Sequence, residues 1–240
     1  ISPLLTSDDT FDSFYYDFGI FDQAIWRVSQ FSAPIIDHYV VGGSWIFGDH
    51  FSPALMLLAP IYWATHAQEA IFFVQAAFAA LAGFILYKTA YALTSNNIVS
   101  LTVQVIFYLF TGLQNAVITD IHELTFATLP ISVVLYSLVT RNKQMYIFSS
   151  LFLLLFKEST FLVICGIHFY TWLKVKEWRN MAILLSILSI IYAYFVITFV
   201  IPAFFNYYQY NILSGHTIRS AISSLYDNPI KIKTVVDSLT

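Results

Sequence analysis

Charge is scarce in this sequence. Charged residues make up only 10% of its 240 positions, against about a quarter in an ordinary soluble domain. That shortage excludes a water-soluble globular protein, which needs a charged shell to stay dispersed. Cysteine is nearly absent too: Cys165 is the only one and lies within an apolar block, so neither an intrachain disulfide nor a thiolate metal site can be built. There is no Gly-rich phosphate loop, no tandem repeat and no basic patch suited to nucleic acid. The chain starts at Ile1 without a signal-like segment, and we expect it to be a piece of a longer protein that lacks at least one helix before Ile1.

What is present is hydrocarbon. Hydrophobic residues reach 58%, with 23 Phe and 16 Tyr, and they come in blocks long enough for membrane helices with aromatic belts. Three regions follow. Residues 1–52 are acidic and aromatic, an extracytoplasmic loop with short helices, one of them predicted over 20–31 from the helical spacing of Phe21, Ile25 and Val28. Pro34 and Gly42-Gly43 are expected to break regular structure after it. Residues 53–204 form a transmembrane helix bundle, and residues 205–240 an extracytoplasmic aromatic and polar segment with Tyr207–Tyr210, His216 and a short helix over 217–226.

Within the bundle, residues 53–63 are about half the length of a span and contain Pro60, which predicts a segment lying in or re-entering the interface. Full spans are predicted over 68–87 (closed by Lys88), 98–113, 121–139 and 181–201 (ended by Pro202). The stretch 145–173 carries Lys157-Glu158 near its middle. As one span it would place two charges at mid-membrane, each costing roughly 2.5–3.5 kcal/mol. Two short antiparallel helices put the pair at their turn instead, after a rise of about 18 Å, recessed below the surface.

Charge distribution then orients the bundle. With residues 1–52 outside, the inner turns hold Lys88, Arg141, Lys143, Lys174, Lys176 and Arg179, while the outer segments before residue 205 hold only Arg27 and Lys157. The positive-inside rule is obeyed, and every carboxylate except Glu177 falls outside. The polar patches Asp17–Gln23, Gly48–Pro53, Asp120/His122/Glu123 and Lys157-Glu158-Ser159 therefore share one face.

Each patch supports two readings. Asp17 and Asp22 flank Gly19, which suggests a turn between them; Asp17 is either a helix cap or a carboxylate held at the interface as a general base. Ser52-Pro53 is a helix-start signal, while Asp49 and His50 before it suit a sugar hydroxyl or a divalent cation. Asp120 and Glu123 are favoured at a helix N-terminus by its dipole. With His122 they also form a donor set that, together with Asp49 and His50, fits a hard or borderline metal such as Mg or Mn. Lys157 is either neutralised by Glu158 or combines with the helix start at Ser159 to bind a phosphate. His66 and His168 read as structural or interfacial.

Taken together, Asp17–Gln23 (DFGIFDQ), Gly48–Pro53 (GDHFSP) with the LLAPIY that follows, Asp120–Glu123 (DIHE) and Lys157-Glu158 resemble, in order and spacing, a family of prokaryotic multi-pass membrane proteins known as domain of unknown function 2079. The resemblance covers essentially the whole chain. DFG stands where the family usually has Asp-Leu-Gly, and Ser159 where an acid is common. The family is similar to the C-type (GT-C) membrane glycosyltransferases, which use polyprenyl-phosphate-linked sugars.

That resemblance implies an all-α multi-pass bundle of GT-C-like architecture, with a first outer loop supplying a catalytic aspartate at Asp17 or Asp22. It implies a site at the outer face of the cytoplasmic membrane. Combined with our reading of the patches, the expectation is that Asp49, His50, Asp120, His122 and Glu123 hold the sugar or an unspecified acceptor, and that Lys157, Glu158 and Ser159 hold the donor phosphate. Trp63 and Tyr207–Tyr210 flank the prenyl chain. Two rivals stand beside this expectation: a proton-coupled transporter using the Asp/His cluster, and a non-catalytic membrane scaffold.

Overall fold

The computed structural model describes residues 15–38, 42–48, 50–65, 67 and 69–204. The expectations for Asp49, His66 and residues 205–240, including Tyr207–Tyr210, lie outside them. Among the described residues the chain is all-α apart from one two-stranded hairpin. Helix α1 (Tyr15–Ser29) comes first, followed by strands β1 (Ile35–His38) and β2 (Gly42–Trp45). The strands pair antiparallel from Ile35↔Trp45 to His38↔Gly42. This hairpin was not expected, because Pro34 and Gly42-Gly43 read as breakers; here Pro34 precedes the first strand and the glycines begin the second.

Helix α1 starts earlier than predicted and runs through Gly19. A Cβ at Gly19 would meet nothing within 4 Å, so this glycine makes no turn, and Asp17 lies inside the helix rather than capping one that starts near Ile20. Phe18, Phe21, Ala24 and Ile25 bury one stripe of α1, with Phe18 stacked on Phe72 at 5.0 Å. The helix ends in a Schellman motif: Ser32 N donates to Arg27 O (2.9 Å) and Phe31 N to Val28 O (2.9 Å). Phe31 takes the left-handed position at φ 56, where glycine is usual and a side chain costs about 1–2 kcal/mol.

A 3₁₀ turn (Ile46–Gly48) and a 3₁₀ helix (Pro53–Leu58) lead to the single turn α2 (Ile61–Ala64), the short interrupted segment expected around Pro60. The apolar helices follow: α3 (Ala70–Thr94), α4 (Asn97–Leu109), α5 (Thr111–Thr119), α6 (Glu123–Val139), α7 (Lys143–Leu153), α8 (Thr160–Lys174), α9 (Arg179–Phe195) and, after a π-turn at Val196–Val200, α10 (Ile201–Phe204). Among the described residues two helices are long and apolar enough to cross a membrane, Ala70–Thr94 and the continuous run Lys176–Phe204. The pair α4–α5, bent by 49°, makes a third if it is one span.

The helix does not stop near Lys88, whose ammonium lies 5.3 Å from the Phe84 ring centroid, but continues to Thr94; Ser95 then ends it in the left-handed conformation. Nor does Pro202 end the last helix. A proline ring clashes with the carbonyl four residues back, and the wider π-turn lies at that point. The second span was expected unbroken over 98–113, but it bends at Phe110 and runs on to Thr119. A polar side chain satisfies part of the break, Gln114 Nε2 donating to Tyr108 O (3.0 Å), while Tyr108 OH ties α4 to α3 by donating to Ala80 O (2.6 Å).

The expected hairpin over 145–173 is present as α7 and α8, of 11 and 15 residues, or about 16 and 22 Å. Helix α3 packs between α4 and α6, α7 against α6, and α8 against α9. One buried cluster, from Phe18 of α1 through Phe126 of α6 to Leu185 of α9, ties the elements together.

Candidate functional site

The turn between α7 and α8 is where distant segments meet. Apolar sequence on both sides forces Leu154–Ser159 to be a turn, and Ala54 N donates to Leu155 O at 3.0 Å, pinning the 3₁₀ helix Pro53–Leu58 onto it. This brings His50 and Phe51 to Glu158. Glu158 is 1% exposed; its Oε1 lies 2.9 Å from His50 Nδ1, and its Oε2 accepts from Phe51 N at 3.1 Å. Burial alone favours a neutral imidazole, but the hydrogen bond and charge of Glu158 outweigh it and hold the His50 pKa above its ordinary 6.5. Lys157 opposes that rise and Glu123 adds to it.

Lys157 does not pair with its neighbour Glu158, the bland expectation for it. Its Nζ lies 3.4 Å from both carboxylate oxygens of Glu123, the first residue of α6. Two ion pairs thus stand side by side, each joining the α7–α8 turn to a segment far away in sequence. The start of α8 offers less than expected for phosphate. Ser159 makes no side-chain cap, Thr160 N donates to Lys157 O (3.1 Å), and Leu162 N to Ser159 O (3.2 Å).

Glu123 is placed by a residue the sequence reading passed over. Gln75, fully buried on α3, donates from Nε2 to Asp120 O at 2.9 Å and to Ala116 O at 3.2 Å, while its Oε1 accepts from His122 N at 3.0 Å. It ties off the last carbonyls of α5 and the N-cap residue of α6 at once, closing the break between the helices. The available signal was a lone glutamine in an apolar span, since a polar group there needs partners. Asp120, also buried, turns Oδ1 onto the following Ile121 N (2.7 Å).

The remaining expected residues are spread more widely. Asp22 accepts a hydrogen bond from Tyr62 OH of α2, so it fastens α1 to the segment before α3. Asp17 lies in the first turn of α1. At five residues apart on one helix, Asp17 and Asp22 are about 140° around from each other. Asp49, one of the expected metal ligands, lies outside the described residues, and among the described ones no group of three or more His, Cys, Asp or Glu is placed to hold a metal ion. His50 is engaged by Glu158, and Asp120 by its own backbone. Ser52 precedes the proline that starts the 3₁₀ helix, as expected, but makes no cap; its hydroxyl is fully buried with no partner among the described residues.

Aromatic rings wall one side. Trp45 and Phe47 pack on Phe204 at 5.1 and 6.0 Å, Phe47 on Phe51 at 5.4 Å, and Phe51 on Tyr192 at 6.5 Å. The hairpin, the His50 segment and the end of the last helix are thereby held together. The arrangement can bind a polar or ionic group beside hydrocarbon, with a lysine and an oriented imidazole as its reachable ends.

A family profile described as "Predicted membrane protein (DUF2079)" matches residues 9–234. No curated protein and no solved structure matches the chain.

Proposed function

We propose that this chain, which belongs to the DUF2079 family of predicted membrane proteins, is part of a glycosyltransferase working at the outer face of the cytoplasmic membrane. It moves a sugar from a polyprenyl-phosphate-linked donor to an acceptor. The observation that carries the reading is the meeting of His50, Glu123, Lys157 and Glu158, from three segments, at the ends of apolar helices. A phosphate-headed lipid needs this combination: a recessed cation for the head and hydrocarbon for the tail.

In this reading the acceptor oxygen bonds to the anomeric carbon as the bond from that carbon to the phosphate oxygen breaks, and the electron pair leaves with the phosphate. Asp17 takes the acceptor proton. Lys157, held by Glu123, stabilises the departing phosphate. His50, oriented by Glu158, together with Asp120 and His122, positions sugar and acceptor. The described donors form no cation cradle.

A specific feature favours a carrier as the second reading, because broken helices such as α4–α5 often mark transport sites. Its polar groups, however, close on one another and on Ala80, and the charged groups gather elsewhere. The test is transfer in nanodiscs carrying the lipid extract of the native membrane. Asp17→Asn should abolish product formation while the protein stays folded in the membrane. Transfer retained by both Asp17→Asn and Asp22→Asn would sink the aspartate mechanism, and solute flux into proteoliposomes without any transfer would favour the carrier.

A further inference from the structure

We infer that Phe31 and Trp63 form one apolar wedge seated in the interfacial layer of a lipid bilayer, fixing α1 at the membrane surface. The two rings stack with centroids 5.8 Å apart and planes 28° from parallel, yet they are 89% and 60% exposed. Trp63 donates its Nε1 hydrogen to Ser29 O at 2.7 Å, so its one polar atom is turned inward and what faces outward is hydrocarbon. Phe31 occupies a left-handed position at φ 56 where glycine costs least. A large ring is thus placed at a strained site and then left uncovered by the described chain. Leu57, on the same apolar run as Trp63, is 65% exposed.

Chain connectivity says what covers this patch. Trp63 lies seven residues before Ala70, the start of a helix long enough to cross a membrane. Seven residues reach at most about 25 Å, which keeps the pair on the side of the bilayer where α3 begins. Trp and Phe there partition into the headgroup and upper acyl region. The inference is independent of the sugar-transfer reading.

The test is tryptophan fluorescence of the full chain in bilayers containing lipids brominated high on the acyl chain, with Trp63 isolated as the difference between wild type and Trp63→Phe. That difference signal should be quenched by the brominated lipid and shielded from aqueous acrylamide. Phe31→Gly keeps the cap, relieves its strain and removes half the wedge; it should weaken bromine quenching of Trp63 without making the protein easier to unfold in detergent. Acrylamide quenching without bromine quenching would overturn the inference. Bromine quenching unchanged in Phe31→Gly would overturn the claim that the two rings act together.

Discussion

Glu158 is the residue whose removal tells most about the cluster. It is 1% exposed and accepts from two donors, His50 Nδ1 at 2.9 Å and Phe51 N at 3.1 Å. Glu158→Ala removes a charge-assisted bond and orphans a backbone N–H; breaking a buried pair in this way costs about 3–5 kcal/mol. Glu158→Gln keeps an acceptor for Phe51 and gives up only the charge, so about 1–2 kcal/mol is expected. A double-mutant cycle with His50→Ala, read by unfolding in detergent micelles, isolates the pair. Because the His50 pKa is raised above 6.5 by Glu158, its protonation stabilises the fold. That contribution is complete below the unfolded value and is lost as pH rises through the higher folded one. The coupling should therefore be largest between the carboxylate range and 6.5, and shrink toward alkaline pH. A coupling below about 0.5 kcal/mol at every pH, or one that grows with pH, would refute the reasoning.

Other expectations follow from the same geometry. Gln75→Leu strands Asp120 O and His122 N and should cost about 2–4 kcal/mol. It should also free Lys157 from Glu123, measured as faster amine acylation of Lys157 in the folded protein. At Gly83 any Cβ overlaps the Tyr108 ring, so Gly83→Ala must displace Tyr108 from Ala80 O. A loss of about 1–3 kcal/mol is expected, against little change for Gly83→Ala combined with Tyr108→Leu. Gly19→Ala, with open space for the added methyl in a helix interior, should stabilise by roughly 0.5–1 kcal/mol; a loss would contradict the continuous helix through that position.

Much of the helix arrangement was readable because it rests on one strong signal, apolar length. The long apolar helices α3 and Lys176–Phe204, the short interrupted segment around Pro60, and the α7–α8 hairpin were each legible from where charges could not lie. The hairpin is the clearest case, since Lys157 and Glu158 leave only a turn as an inexpensive place for them. Boundaries were harder to read. Lys88 is a good helix former and α3 simply runs past it to Thr94, and the π-turn before Pro202 lets the last helix continue. The bend at Phe110 was hidden because Gln114 caps the Tyr108 carbonyl from within an apolar run.

In the candidate site, the sequence identified the polar residues but not their partners. Lys157 and Glu158 are adjacent, and proximity in sequence suggested they pair; packing instead sends one to Glu123 and the other to His50. Gln75 has no motif around it, and its role depends wholly on where α5 and α6 meet. Gly19 misled because a glycine between two aspartates is the usual mark of a turn, while here it is an ordinary helix position with empty space beside it.

The central claim is that the Lys157 cluster receives the phosphate of a lipid-linked sugar. Native mass spectrometry of the gently purified full chain, beside Lys157→Ala, tests it most directly. The account predicts a co-purified polyprenyl phosphate, or its sugar-linked form, that is lost in the variant. Bulk phospholipid alone in wild type, from membranes shown to contain the polyprenyl lipid, would contradict it.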